Sequence, residues 1–525
     1  MKNFKKATIL SMVGVLSLLT ACGNNTQKNV SDKNNSDSSV MDNKDNLQTE
    51  ATDKDPTAIN FDEEPYTVAI QVVTLPGVEN KGEEEREEAI NDIILPAINC
   101  KVDIQKVWIS EITQTTSMAI ASDEKMDLIH VATVQPISTM IGSDMLYDMN
   151  TDNLLQTHGQ DLVNLFGELI NSGNVNGKQL AIPAQVFNAS AKGFDYNKTI
   201  ADKYNIEVPE FSTFDDLERV LYKIKEADPS IYPFYVGSGQ LNFMQWFYDY
   251  ESFGSEASYG VVMNPSEDLT VENLFATQEF KDYCLRTYKW KKDGIIPGDP
   301  TDTTTAQDYF GAEKLFVGGA CNINESQKTS IASKYDFEVG WSEMVAPTIT
   351  NSNVTEYMWG IATNSERPDK AMDFLNYMYK DPRVCNIIKY GLEGKNYDFA
   401  EGSDQIVISN GSYLEQFFIG GNAKDMLVFS PATDNYIEKC EQMENEATVS
   451  PLLGYLFDDI DFQTESSVIY STIMEYLPGL QNGIYSSEDE TLKAIDEFNK
   501  KLESVGINDV IAANQEQLDT WIASK

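Results

Sequence analysis

The chain has 525 residues, of which 41% are hydrophobic and 10% aromatic, enough for two large lobes or about three ordinary domains. Its 83 acidic residues against 39 basic ones give a net charge of −44. That balance argues against nucleic acid and against anionic membrane surfaces as partners, and it serves solubility.

The chain opens with Lys2, Lys5 and Lys6, followed by an apolar run from Ala7 to Leu19. The run is shorter than the ~20 apolar residues of a permanent membrane helix, so with its basic start it reads as a secretory signal. It ends in Leu19-Thr20-Ala21-Cys22, which resembles the bacterial lipobox, where the cysteine is acylated and becomes the new N-terminus. Residues 1–22 are therefore expected to be a lipoprotein signal peptide, with Cys22 as the lipidation site. An ordinary cleaved signal with an incidental cysteine is the competing reading. Residues 23–60 are rich in Asn, Asp, Ser, Lys and Thr and bury too little to offset their ordering entropy, which predicts a disordered tether. A coil of ~38 residues reaches roughly 35 Å on average. The membrane is then met through lipid alone, at the extracytoplasmic face.

From Tyr66 the body reads as alternating strands and helices. Tyr66–Val73 is β-branched and flanked by Pro65 and Pro76, hence a strand. Glu83–Ala97 follows with Ile90, Ile93, Ile94 and Ala97 at helical spacing behind an acidic start. Lys101–Ile109 is a strand, Glu111–Ser122 a helix and Asp127–Thr133 a third strand. This repeat implies a parallel sheet covered on both faces, with ligands outside the carboxyl ends of its strands. Thr74, Thr133 and Gln135 stand at those ends.

The pattern restarts with strands Gln179–Pro183 and Lys192–Lys198, then helices Thr199–Tyr204 and Phe214–Ala227. Thr213 is the expected N-cap of the latter, and Leu217, Val220, Leu221 and Ile224 its buried face. Lys314–Cys321 is a strand ending in glycines, and Tyr357–Thr363 another. Glu366–Lys380 is a helix with Pro368 in its first turn. Leu492, Ile495, Phe498 and Leu502 stripe a later helix closed near Gly506, and a last helix ends with Leu518, Trp521 and Ile522. Cys100, Cys284, Cys321, Cys385 and Cys440 are odd in number and lack CxxC spacing, which predicts buried free thiols and no metal site.

The segment GKQLAIPAQ…FDYNKTIADKYNIEVPEFSTFDDL resembles the first crossover of extracellular solute-binding proteins of family 1, the maltose-binding-protein-like components of ABC importers. Gly177, Lys178, Pro183, Tyr196, Asn197, Lys198, Ile206, Thr213, Asp216 and Leu217 match; Leu180 and Asn205 replace a family tyrosine and glycine. WGIATNSERPDKAMDFLNYMYKDPRV is similar to the later crossover. The tail from Ser450 resembles the C-terminal region of a Firmicutes surface-lipoprotein subfamily, a domain of undefined function. The resemblance implies an α/β fold of two periplasmic-binding-protein-like lobes joined by crossing hinge segments, with a helical C-terminal region. Residues 61–187 plus 349–395 are expected in the first lobe, and 188–348 plus 396–525 in the second. It also implies capture of a carbohydrate, an oligosaccharide by preference, and delivery to ABC permease subunits by a monomer.

Sugar faces stack on aromatic rings, and sugar hydroxyls need planar polar partners. On that ground Trp359, Phe187 and Trp246 are the aromatic candidates. Asn322, Asn324 and Glu325 follow a glycine-ended strand, while Thr74, Thr133, Gln135 and Gln185 lie at other strand ends. Trp341 and Trp290 are assigned to the core, and Trp521 to packing of the last helix. The two histidines, His130 and His158, form no HExxH, and neither a GxSxG elbow nor a GxxxxGK[ST] loop occurs. The expectation is therefore no enzyme, no cofactor and no metal. A sugar- or peptide-binding surface lipoprotein for adhesion or sensing, uncoupled from transport, is the alternative.

Overall fold

The computed structural model describes residues 58–74, 82–132, 137–235, 243–297, 305–319, 322–415, 418–433 and 435–525. The signal peptide, Cys22 and nearly all of the tether lie outside these residues, as do Thr133, Gln135 and Cys321.

The first lobe is built on the strand Tyr66–Thr74, whose residues from Val68 onward are buried. It pairs in parallel with Cys100–Trp108 along its whole length, from Tyr66↔Cys100 to Thr74↔Trp108. On its other side it meets Leu128–Val131, also in parallel, at Ile70↔Leu128. Met358–Ile361 and then Ile182–Pro183 complete the five strands. The crossover helix Glu83–Ile98 begins with three glutamates, which suit the positive end of the helix dipole, and buries Ile90, Ile94 and Ile98 at intervals of four. Helices Pro368–Lys380 and Pro382–Tyr390 add Phe374, Leu375, Met378 and Ile388 to the same core.

The second lobe has the strand order Val317–Gly319, Ser190–Asn197, Val339–Ile349, Thr448–Val449, with Asn322–Ile323 also pairing Ser190–Asn197. The parallel sheet expected from the β-α-β repeat does not extend here: Ser190–Asn197 runs antiparallel to each of its partners. One of these strands carries the chain away from the lobe crossing and its longest partner carries it back, so the two point in opposite directions. Helix Phe214–Ala227 covers the sheet with Leu217, Val220, Leu221 and Ile224, behind a capping box of Thr213 and Asp216. The C-terminal helices Gln463–Gln481 and Glu488–Ser504 extend this core through Ile469, Ile473, Leu477 and Phe498. The last helix, Ile507–Ser524, follows Gly506 at φ +100°, and its Leu518 packs with Leu452 and Tyr455.

One lobe boundary differs from expectation. Residues 396–429 are expected in the second lobe, yet Phe418 and Met426 fill the core of the first. Lys106 of the first lobe also pairs with Glu415 at 3.0 Å. The first lobe needs this later segment to close its apolar face, so the chain returns to the second lobe only after Phe429. The thiols of Cys100, Cys284, Cys385 and Cys440 are buried and unbridged. Among the described residues no helix is long and apolar enough to cross a membrane.

Candidate functional site

Three segments join the lobes, at 184–189, 350–357 and 430–447. The first two lie side by side: the Ala184 amide donates to the Tyr357 carbonyl at 2.9 Å, and Tyr379 donates its hydroxyl to the Ala184 carbonyl at 2.7 Å. Asn353 then donates from Nδ2 to Ser190 Oγ at 3.2 Å. The third crossing carries the helix Tyr436–Glu446. From it, Glu444 Oε2 accepts the amides of Asn188 at 2.9 Å and Ala189 at 2.8 Å. Burial raises the Glu444 carboxyl above its ordinary value, and the two amides partly offset that. The helix is tied both ways, by Glu441 to Lys424 at 3.2 Å and by Lys439 to Glu325 at 3.6 Å.

Two hollows flank this helix. The smaller, of about 350 Å³, is walled by Leu165 and Leu169 of the first lobe, Val186 and Phe187 of the first crossing, and Lys424, Glu441, Glu444 and Asn445. Lys424 Nζ stands 5.9 Å from the Phe187 ring centroid. The larger, of about 420 Å³, lies on the second lobe. Trp341 and Glu343 reach it from one face of the strand Val339–Ile349, Glu325, Lys328 and Thr329 from the helix behind, and Pro431, Thr433 and Lys439 from the third crossing. Both volumes are in the range of small-molecule sites. Glu325 is held by Lys328 at 3.1 Å. Burial raises the Glu343 carboxyl; Lys328 opposes this and Glu210 adds to it.

The residues singled out in the sequence separate into different places. Phe187 and Glu325 line hollows, one each. Trp359 offers no face to a ligand: it is fully buried, its ring lies 4.2 Å from that of His130, and its Nε1 donates to the Ile419 carbonyl at 3.1 Å. Its strand has a neighbour on each side and apolar cover, so the ring supports the core. Trp246 is likewise 6% exposed and packed in the second core. Asn324 accepts the Gln327 amide at 2.9 Å and caps its helix, while Asn322 pairs with Lys192 in the sheet. Gln185 is half-buried beside the first crossing, where its carbonyl accepts from Asn188 Nδ2 at 3.1 Å. Thr74 ends its strand with a buried hydroxyl that finds no hydrogen-bond partner among the described residues.

Trp341, expected in the core, is instead half-buried and lines the larger hollow, and Glu343 beside it carries no motif in the sequence. They alternate with buried Gly340 and Ser342 on their strand, and that alternation is the signal that identifies them. Among the described residues no cluster of three or more His, Cys, Asp and Glu could hold a metal ion.

Comparison with known proteins adds to this geometry. Residues 142–382 match the model of the bacterial extracellular solute-binding protein family, and 451–523 match a domain of unknown function, DUF3502. A carbohydrate ABC transporter substrate-binding protein of Streptococcus pneumoniae serotype 4 (strain ATCC BAA-334 / TIGR4) is 27% identical over 449 residues, 83% of this chain and 87% of that protein. The fold is similar to the crystal structure of N-glycan transport solute binding protein (NgtS) from Streptococcus pneumoniae, with a TM-score of 0.74 and 24% identity over 87% of this chain and 99% of that one. An HMO binding ABC-transporter associated solute binding protein from Bifidobacterium longum infantis ATCC 15697 gives a TM-score of 0.59 and 14% identity over 87% and 99% of the two chains. The shared fold is the two-lobed one described above.

Proposed function

Since the chain belongs to the bacterial extracellular solute-binding proteins, we propose that it captures an oligosaccharide between its lobes and delivers it to the permease of an ABC importer. The observation that carries this reading is the pair of α/β lobes joined, among the described residues, through three adjacent crossings, with hollows beside them. Such a hinge allows closure, and a ligand drives closure by as much as it prefers the closed state. The carbohydrate assignment draws support from the pneumococcal relative, named for carbohydrate transport. NgtS, the protein of similar fold, is also known in complex with Man1GlcNAc and with Man5GlcNAc. In the same reading the protein is a monomer without catalytic activity or cofactor, held at the outer face of the cell membrane by lipid on Cys22.

A thermal-shift screen of the chain against Man1GlcNAc, Man5GlcNAc, maltotriose and a set of short peptides tests it. A ligand at 100 times its Kd stabilises by about 2.7 kcal/mol, enough to move Tm visibly. A shift with one glycan class, with the glycan recovered unchanged, supports capture for import. A shift with peptides alone keeps the clamp and discards the carbohydrate.

A further inference from the structure

We propose that the hollow over Trp341 is a sugar subsite, in which one pyranose ring lies against the indole and gives its hydroxyls to Glu343 and Glu210. The inference rests on the carbohydrate reading and assigns it a place on the second lobe.

Trp341 is the tryptophan that lines one of the two hollows. Trp290 and Trp359 are fully buried, Trp246 nearly so, Trp521 packs on Tyr455 with ring centroids 5.4 Å apart, and Trp108, 36% exposed at the end of its strand, lines neither hollow. Trp341 is half-buried and lines an open volume of about 420 Å³. An indole in that position offers a flat apolar surface of the kind a sugar's C–H face covers.

The polar wall around it matches a polyol. Glu325 is already engaged by Lys328 at 3.1 Å and Lys439 at 3.6 Å. Glu343 has neither an ion pair nor a side-chain hydrogen bond among the described residues, although it is half-buried. A carboxylate so placed gains from hydroxyl donors, because burial without them is costly. Three glutamates against two lysines disfavour an anion, and both lysines are engaged by Glu325. A neutral, hydroxyl-rich ring avoids that repulsion and supplies donors to the remaining carboxylates. The far wall is Pro431, Ala432 and Thr433 of the third crossing. A sugar seated here therefore touches both the second lobe and a segment that must move when the lobes close.

The test compares the wild-type chain with Trp341→Ala, Trp341→Phe and Glu343→Gln by titration calorimetry against Man1GlcNAc and Man5GlcNAc. The subsite predicts about a tenfold or larger loss of affinity for Trp341→Ala, the equivalent of about 1.4 kcal/mol. It predicts a smaller loss for Glu343→Gln and near-full retention for Trp341→Phe. It also predicts a ligand-induced change in tryptophan fluorescence that is absent in Trp341→Phe. If Trp341→Ala does not fold, Glu343→Gln and the fluorescence of Trp341→Phe decide. Wild-type binding with unchanged affinity in Trp341→Ala and Glu343→Gln overturns the subsite and leaves the carbohydrate reading standing. Binding of peptides and of neither glycan overturns both.

Discussion

Trp359 and His130 lie ring to ring in the first core, with their planes at 38°. The burial of Trp359 makes it a stability residue. Trp359→Ala is expected to cost about 3–5 kcal/mol in urea unfolding, with no change in glycan affinity for the protein that remains folded. A variant that keeps its stability and loses its ligand would return Trp359 to the binding surface. His130 is buried, and burial lowers its pKa from 6.5 to about 4, opposed in part by the Gln71 backbone. The unfolded chain therefore takes up this proton first as pH falls. The contribution of His130 is fully present above pH 6.5 and is lost as pH drops toward 4, by on the order of 3 kcal/mol. Buried Asp195 works in the opposite direction: burial raises it to about 8, so its contribution is lost as pH rises from 3.8 to 8. The difference between wild type and His130→Phe isolates the histidine, and the gap between their urea midpoints is expected to change between pH 4 and 6.5. Parallel curves would mean that His130 keeps its proton equilibrium on folding. The sequence placed Trp359 correctly beside a glycine on a strand. Its cover, Phe418 and Ile419, comes from a stretch some 60 residues later that carries no motif, so its burial could not be read.

Elements were legible where one apolar period governs them. The helix Phe214–Ala227 buries the four residues its spacing indicates, and the strand Tyr66–Thr74 runs one residue past its expected end. The strand Val339–Ile349 shows why other parts were not. Its buried face near Trp341 is formed by Gly340 and Ser342, which do not read as apolar. A Cβ on Gly340 would come within 2.3 Å of the Tyr196 ring, and Ser342 Oγ lies 2.7 Å from Ser212 Oγ. Close packing and a buried hydrogen bond thus replace hydrophobic contact on that side, and the indole is left on the outer face. The usual rule that tryptophan marks the core then assigns Trp341 to the wrong side. Glu325 was found because a polar run after glycines is a loop signal, whereas Asn324 in the same run serves as a helix cap.

At the scale of the whole molecule, the tail from Gln463 builds into the second core rather than standing apart, so that lobe moves with its C-terminal helices as one body. Motion between the lobes must then be absorbed at the three crossings, and Glu444 is where two of them are fastened. Asn188 and Ala189 are 4% and 5% exposed, so water cannot replace the carboxylate that accepts their amides. Glu444→Ala leaves two buried N–H groups unpaired, at a cost of about 1–3 kcal/mol each. Hydrogen exchange at these two amides should accelerate in the alanine variant, and less in Glu444→Gln, which keeps one acceptor oxygen. Amides elsewhere in the first core should keep their protection, because the change is local to the crossing. Unaltered exchange at 188 and 189 would show that this fastening does not hold the first crossing. Selective acceleration there would identify the third crossing as the element that sets how stiffly the two lobes are joined.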